Sequence, residues 1–186
     1  MEKAFYAMLT FLVSTAFSFY LFLVMLRFLL QWVKADFYNP LCQFVIRMTN
    51  PLLIPLRRIV PGFLGLDCAA IVLMVMLELI ETFILFWLAP PMITLNPWLI
   101  AALIAIRLIS ILINVMFFAI IIRALSSWLN HDPTRAHPFL EALFQLTEPV
   151  LSRARRWIKP IAGVDLSPVL VLILLELINI FLNNLI

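Results

Sequence analysis

The chain has 186 residues, 65% of them apolar and only 12% charged, with a formal charge of +3. A soluble domain is roughly 45–50% apolar and about 25% charged, so an ordinary soluble fold is excluded. The basic balance does not point to nucleic acid, because Lys and Arg gather beside hydrophobic runs rather than beside exposed aromatic platforms.

A spanning helix needs about 20 mainly apolar residues. Four segments meet this, 4–33, 68–89, 97–129 and 168–186, so the expected fold is all-α with four transmembrane helices. The first run lacks a basic start and a small-residue cleavage site and is too long for a removable signal core, so it is expected to remain as a helix. The first and third runs exceed a bilayer's thickness and are expected to tilt or protrude near Trp32 and Trp128. In the connector 34–67, Asn39-Pro40 and Asn50-Pro51 each place a capping residue before a proline at a first helical position, which predicts two short helices. Pro61-Gly62 then stops the connector, and Gly65-Leu66-Asp67 turns the chain into the second span, with Asp67 as a helix cap at its positive end. A short turn from Pro90-Pro91 to Asn96-Pro97 leads to the third span.

In the connector 130–165, Glu141, Gln145, Glu148, Ser152, Arg155, Arg156 and Lys159 recur every three or four positions. Leu140, Leu143, Phe144, Val150, Leu151 and Ile158 lie opposite, which makes an amphipathic segment that Pro149 is expected to break in two. Such a segment is expected to lie along the cytoplasmic interface with its arginines toward anionic headgroups. Lys159-Pro160 ends it, and Gly163-Val164-Asp165 turns the chain into the last span, capped by Asp165.

Basic residues fix orientation, because Lys and Arg are retained on the cytoplasmic side. Segment 34–67 holds Lys34, Arg47, Arg57 and Arg58, and segment 130–165 holds Arg135, Arg153, Arg155, Arg156 and Lys159, against Lys3 alone on the other side. Both connectors are therefore expected in the cytoplasm, and both termini in the periplasm of a bacterial inner membrane.

The chain also repeats itself. A shift of 98 carries Pro40, Thr49, Pro51, Arg57, Arg58, Gly65, Asp67 and Glu78 onto Pro138, Thr147, Pro149, Arg155, Arg156, Gly163, Asp165 and Glu176. Upstream, a shift of 96 pairs Phe22, Arg27, Trp32 and Asp36 with Phe118, Arg123, Trp128 and Asp132. Matches in Gly, Pro, Arg, Asp and Glu carry the inference, since Leu and Ile coincide cheaply in this composition. Two parallel copies of a helix-connector-helix unit follow, 1–94 and 95–186.

The block Pro51, Arg57-Arg58-Ile59-Val60-Pro61, Gly65-Leu66-Asp67 and its second version Pro149, Arg155-Arg156-Trp157-Ile158-Lys159-Pro160, Gly163-Val164-Asp165-Leu166-Ser167-Pro168 resemble the YggT family of small integral membrane proteins. The resemblance covers almost the whole chain, and the tandem arrangement looks like that of proteobacterial members. Copy one departs from it where Cys68-Ala69-Ala70 stands for Leu166-Ser167-Pro168. The resemblance implies associations with osmotic-shock tolerance and potassium balance, with cell division, or with plastid cytochrome assembly, and no shared activity.

Ionisable residues inside a span are costly and mark candidate functional positions. Arg27 with Glu78, and Arg123 with Glu176, are expected as one intramembrane pair per copy. Glu81 and Arg107 share a depth below the outer turn and are expected to pair between copies, while Asn179 replaces Glu81 in copy two. Such pairs either fix helix register or line a polar path for an ion or proton with Glu78 and Glu176 at its centre.

Other motifs fail. His131, Asp132 and His137 have neither the spacing nor the cysteine support of a metal site. Cys42 and Cys68 form no paired motif, and no nucleophile constellation or phosphate loop is present. No catalytic residue, cofactor or metal is expected. The favoured reading is a non-enzymatic adaptor or assembly protein linked to osmotic-shock tolerance. Its connectors, through Arg57, Arg58, Arg153, Arg155, Arg156 and Lys159, would bind anionic lipid and an unidentified membrane or cytoplasmic protein, with a homo-oligomer as a further partner. The alternative is a small potassium or proton transporter or channel component that uses the intramembrane Glu/Arg pairs.

Overall fold

The computed structural model describes residues 2–62, 66–88, 96–129, 138–157 and 165–185. They form six helices: α1 Glu2–Trp32, α2 Pro40–Ile59, α3 Cys68–Leu88, α4 Pro97–Leu129, α5 Pro138–Trp157 and α6 Ser167–Asn183. No β-strand occurs among the described residues. Three helices are long and apolar enough to cross a membrane, over Lys3–Trp32, Cys68–Leu88 and Pro97–Ser126; α6 is equally apolar but 17 residues long.

Among the described residues each connector holds one continuous helix of 20 residues, not two short ones. Pro51 and Pro55 lie inside α2 and Pro149 inside α5. A helix proline removes a backbone hydrogen bond and costs about 3 kcal/mol, yet here a single buried line of side chains runs across the break. Cys42, Val45, Thr49 and Leu53 form it on α2, and Ala142, Leu143, Leu146, Thr147 and Leu151 on α5. Burying a fully packed Val or Leu contributes roughly 1.5–3 kcal/mol, so packing on both sides of the proline holds one axis. Asn39 does cap α2, its side chain accepting from Leu41 N at 2.9 Å. Asn50 caps nothing and instead receives Arg27.

The end of α1 shows how the chain leaves a span without glycine. Ala35 N donates to the Leu30 carbonyl at 2.9 Å and Lys34 N to that of Gln31 at 3.1 Å, a reverse turn that puts Lys34 at φ 55°.

Helix α1 packs on α2 and α3, and α2 packs on α3; α4, α5 and α6 repeat those three contacts. The two trios meet through α1 with α4 and α5, through α2 with α5, and through α3 with α4. One apolar core, including Leu21, Val24, Val45, Leu53, Ala70, Val115 and Leu143, runs through both. The apolar lines of α2 and α5 are therefore spent largely on packing: Leu143 is buried in this core and Leu151 in a smaller cluster with Ile120 and Val171, and among the described residues opposite the α5 arginines only Phe144 is exposed. Ile158 lies outside the described residues, as do Lys159, Gly65, Gly163, His131, Asp132 and His137.

Candidate functional site

The first arrangement is a buried arginine clamp that occurs twice. Arg27 of α1 reaches into α2, where its Nη1 donates to Thr49 Oγ1 at 2.6 Å, Asn50 Oδ1 at 2.9 Å and, at the long end of bonding, the Ile46 carbonyl at 3.4 Å. Arg123 of α4 does the same to α5, donating to Thr147 Oγ1 at 2.8 Å, the Phe144 carbonyl at 3.5 Å and Glu148 Oε2 at 2.5 Å. Its guanidinium also lies 4.4 Å from the centre of the Phe144 ring. Each threonine stands two residues before the helix proline, and each carbonyl five before it. Both threonines are fully buried and pass their own proton to Val45 or Leu143 at 2.7 Å, so the hydroxyl oxygen is oriented to accept from arginine.

An ion pair closes each connector. Arg57 binds Asp67, which sits where α3 begins, and Arg57 also donates to Gln31 Oε1 at 3.3 Å. Arg155 holds Asp165 at 2.8 Å and Glu148 at 3.0 Å. Asp165 accepts from Ser167 N at 2.9 Å and from its hydroxyl at 2.5 Å, satisfying donors at the start of α6. The Asp67 backbone carbonyl accepts from Ala70 N and Ile71 N, while its side chain goes to Arg57. Hydrogen bonding to Arg123, with the charges of Arg123 and Arg155 against burial, holds the Glu148 carboxyl below its ordinary range. Burial works against ionisation of Asp165, but the bonds from Ser167 and Arg155 outweigh it and hold this carboxyl low as well.

The expected pairs Arg27–Glu78 and Arg123–Glu176 are therefore replaced. Both arginines turn toward the connector helices, because the desolvated threonine, side-chain and carbonyl oxygens there lie within their reach. Glu78 meets Arg107 instead, at 3.3 Å from Nε, and Arg107 Nη2 also binds Glu81 at 2.7 Å and Ser18 at 3.2 Å. The arrangement between copies thus gathers three charges, not two. Glu176 is exposed on α6, flanked by exposed Ile173, Leu174, Leu177, Ile178 and Ile180.

This cluster borders the second arrangement, a cavity of 710 Å³ between α1, α3, α4 and α6. Glu78 and Glu81 are 2% and 1% exposed, yet Glu78 Oε1, Glu81 Oε2 and Ser110 Oγ have no hydrogen-bond partner. Across the cavity Asn179 donates to Asn114 at 3.2 Å. Glu78 lies 11 residues along α3 from Asp67, roughly 16 Å by helix rise.

Among the basic connector residues, Arg58, Arg153 and Arg156 are exposed. Arg57 and Arg155 are committed to the closing pairs. The reading of residues one by one missed Thr49, Thr147, Asn50 and Glu148 as arginine acceptors. The repeat held the signal, since both threonines survive the shift of 98 in a position where helix propensity gives no reason for one. Ser110 and Asn114 carried no such mark. Among the described residues no group of three His, Cys, Asp or Glu side chains is placed to hold a metal ion.

The chain matches the CCB3/YggT family over residues 6–88 and again over 102–186. An uncharacterized protein of Pseudomonas aeruginosa is 40% identical over 179 residues, covering 94% of this chain and 87% of that one. The uncharacterized protein YggT of Escherichia coli strain K12 is 35% identical over 173 residues, 92% and 87% of the two chains. An uncharacterized protein of Haemophilus influenzae is 30% identical over 164 residues, 87% and 81% of the two. No solved structure matches the chain. With the family matched twice in tandem and relatives of this identity spanning nearly the full length, the chain belongs to the CCB3/YggT family.

Proposed function

We propose that the chain is a non-enzymatic adaptor or assembly protein of the bacterial inner membrane, linked to osmotic-shock tolerance. It crosses the bilayer four times as two tandem units, 1–94 and 95–186, with α6 as the shortest span and both termini periplasmic. About 26 Å of helix falls a few ångströms short of a hydrocarbon core of about 30 Å, so α6 crosses upright with local thinning of the bilayer, its exposed polar end at Asn183 and Asn184 meeting the interface. The connectors lie at the cytoplasmic interface and bind anionic lipid and a protein partner.

The observation that carries this reading is the outer face of α2. Arg47 and Arg58 stand exposed there among exposed Phe44, Met48, Leu52, Ile54 and Ile59. Apolar chains that dip below the headgroups, beside arginines that meet phosphate, are the composition of an interfacial helix. The clamps favour recognition over free movement, because each connector is tied to a span at one end and across its middle. Reversing Arg58, Arg153 and Arg156 to Glu leaves Arg57 and Arg155 in place, so insertion is expected to persist. Partner capture in mild detergent, compared before and after osmotic shock, is expected to disappear together with shock survival. Unchanged capture and survival reject the reading.

A further inference from the structure

The cavity between α1, α3, α4 and α6 is independent of the connector surface. Its three unpartnered oxygens, Glu78 Oε1, Glu81 Oε2 and Ser110 Oγ, are buried, and leaving such atoms unmade costs desolvation without return. Ionised carboxylate oxygens only accept and the Ser110 hydroxyl can accept, so a single donor group can serve all three. Arg107 offsets one of the two carboxylates; its Nε lies 3.3 Å from Glu78 Oε1 without aligning as a hydrogen bond. With both carboxyls ionised, one negative charge is left without a counter-charge. The volume, 710 Å³, far exceeds a bare ion and falls in the range of small-molecule pockets, about 300–1,000 Å³. Phe22 and Phe118, packed edge to face at 6.3 Å, line the cavity with apolar side chains of α3 and α4, a wall suited to an organic body and to a cation.

We infer that this cavity binds a small organic cation through a primary ammonium group, donated to Glu78, Glu81 and Ser110 with its carbon chain against Phe22 and Phe118. The three N–H donors meet Glu81 Oε2, Ser110 Oγ and Glu78 Oε1, the last of which Arg107 approaches without a hydrogen bond, and the positive charge balances the second carboxylate when both are ionised. The group is supplied either by a free amine or by the headgroup of an aminophospholipid.

The test uses the full chain in detergent, stripped of lipid, with butylammonium chloride as probe. Butylammonium is expected to raise the thermal midpoint saturably, while butanol, potassium chloride and tetramethylammonium at matched ionic strength do not. Ser110→Ala, which leaves both carboxylates and Arg107 intact, is expected to weaken binding about tenfold, the loss of one charge-assisted hydrogen bond. Glu78→Gln is expected to abolish it, with gel filtration and circular dichroism confirming that each variant folds. In native mass spectrometry, phosphatidylethanolamine retained over phosphatidylcholine by the wild type, displaced by butylammonium and lost in Glu78→Gln, identifies the lipid headgroup as the source; retention of neither lipid, with butylammonium still bound, identifies a free amine. An equal response to potassium or tetramethylammonium overturns the ammonium reading in favour of charge alone, and no saturable response to butylammonium overturns the site.

Discussion

Thr49 and Thr147 show how much rests on one hydroxyl. Each is fully buried, accepts from an arginine that is itself almost buried, and returns a proton to its own helix. Thr147→Val keeps the shape and removes the acceptor, leaving part of the Arg123 guanidinium dry and unpaired, a cost of about 1–3 kcal/mol. The expected result is a lower thermal midpoint for Thr147→Val, partly recovered when Arg123→Met removes the stranded charge as well. Equal and additive losses in the double variant would deny the coupling. The second clamp also carries a pH dependence that the first lacks at the matching position, where Asn50 replaces Glu148. The folded carboxyl of Glu148 is held below its ordinary value, so its contribution is present above the unfolded pKa and is lost as pH falls through the lower folded one. Protection factors of α5 amides, taken against the intrinsic exchange rate at each pH, are expected to fall on acidification below the usual carboxylate range, and Glu148→Gln is expected to shrink that step to the part due to Asp165. Sequence alone gave Arg27 and Arg123 the wrong partners, because position along a helix says nothing about which side a long side chain takes.

At the level of helices, the prolines misled for a definable reason. Asn50-Pro51 has the form of a helix start, and Pro149 the form of a break, when only local preference is weighed. The buried line through Val45, Thr49 and Leu53, and its counterpart through Leu143, Thr147 and Leu151, overrides that preference by tertiary packing. The long spans were legible because lipid demands an uninterrupted apolar helix, and α1, α3 and α4 fall within a few residues of the expected limits. Helix α6 is the exception, at 17 residues with exposed Glu176 near its middle. An ionisable residue at the centre of a span costs about 2.5–3.5 kcal/mol on insertion scales. Isolated α6 is accordingly expected to insert poorly and Glu176→Leu to insert well, read by glycosylation of an acceptor placed after the helix. If the wild-type segment inserted as fully as the variant, Glu176 would not be facing hydrocarbon.

For the molecule as a whole, the repeat in the sequence suggested two units but not how they join. The joint is a shared core: α1 meets α4 and α5, α2 meets α5, and Asp36 N donates to Gln145 Oε1 at 3.3 Å. Nothing in a shift of 98 residues reports such contacts, since a duplication preserves what lies within each copy and leaves the interface to later change. The cavity belongs to the same class, because Arg107 has Phe11 at its matching position and Glu81 has Asn179, so the charged cluster exists once. A chain cut between Leu88 and Asn96 and expressed as two pieces tests this joint directly. Each piece keeps its three helices but loses the packing of α1 on α4 and α5, of α2 on α5 and of α3 on α4 unless the other is present. The pieces are expected to co-purify in equal amounts and, carrying Asp36→Cys and Gln145→Cys in a background of Cys42→Ala and Cys68→Ala, to cross-link with a short thiol reagent. Pieces that elute apart, each folded and neither cross-linked, would mean that the two units are joined only by the chain between them and that the shared core contributes nothing to holding them.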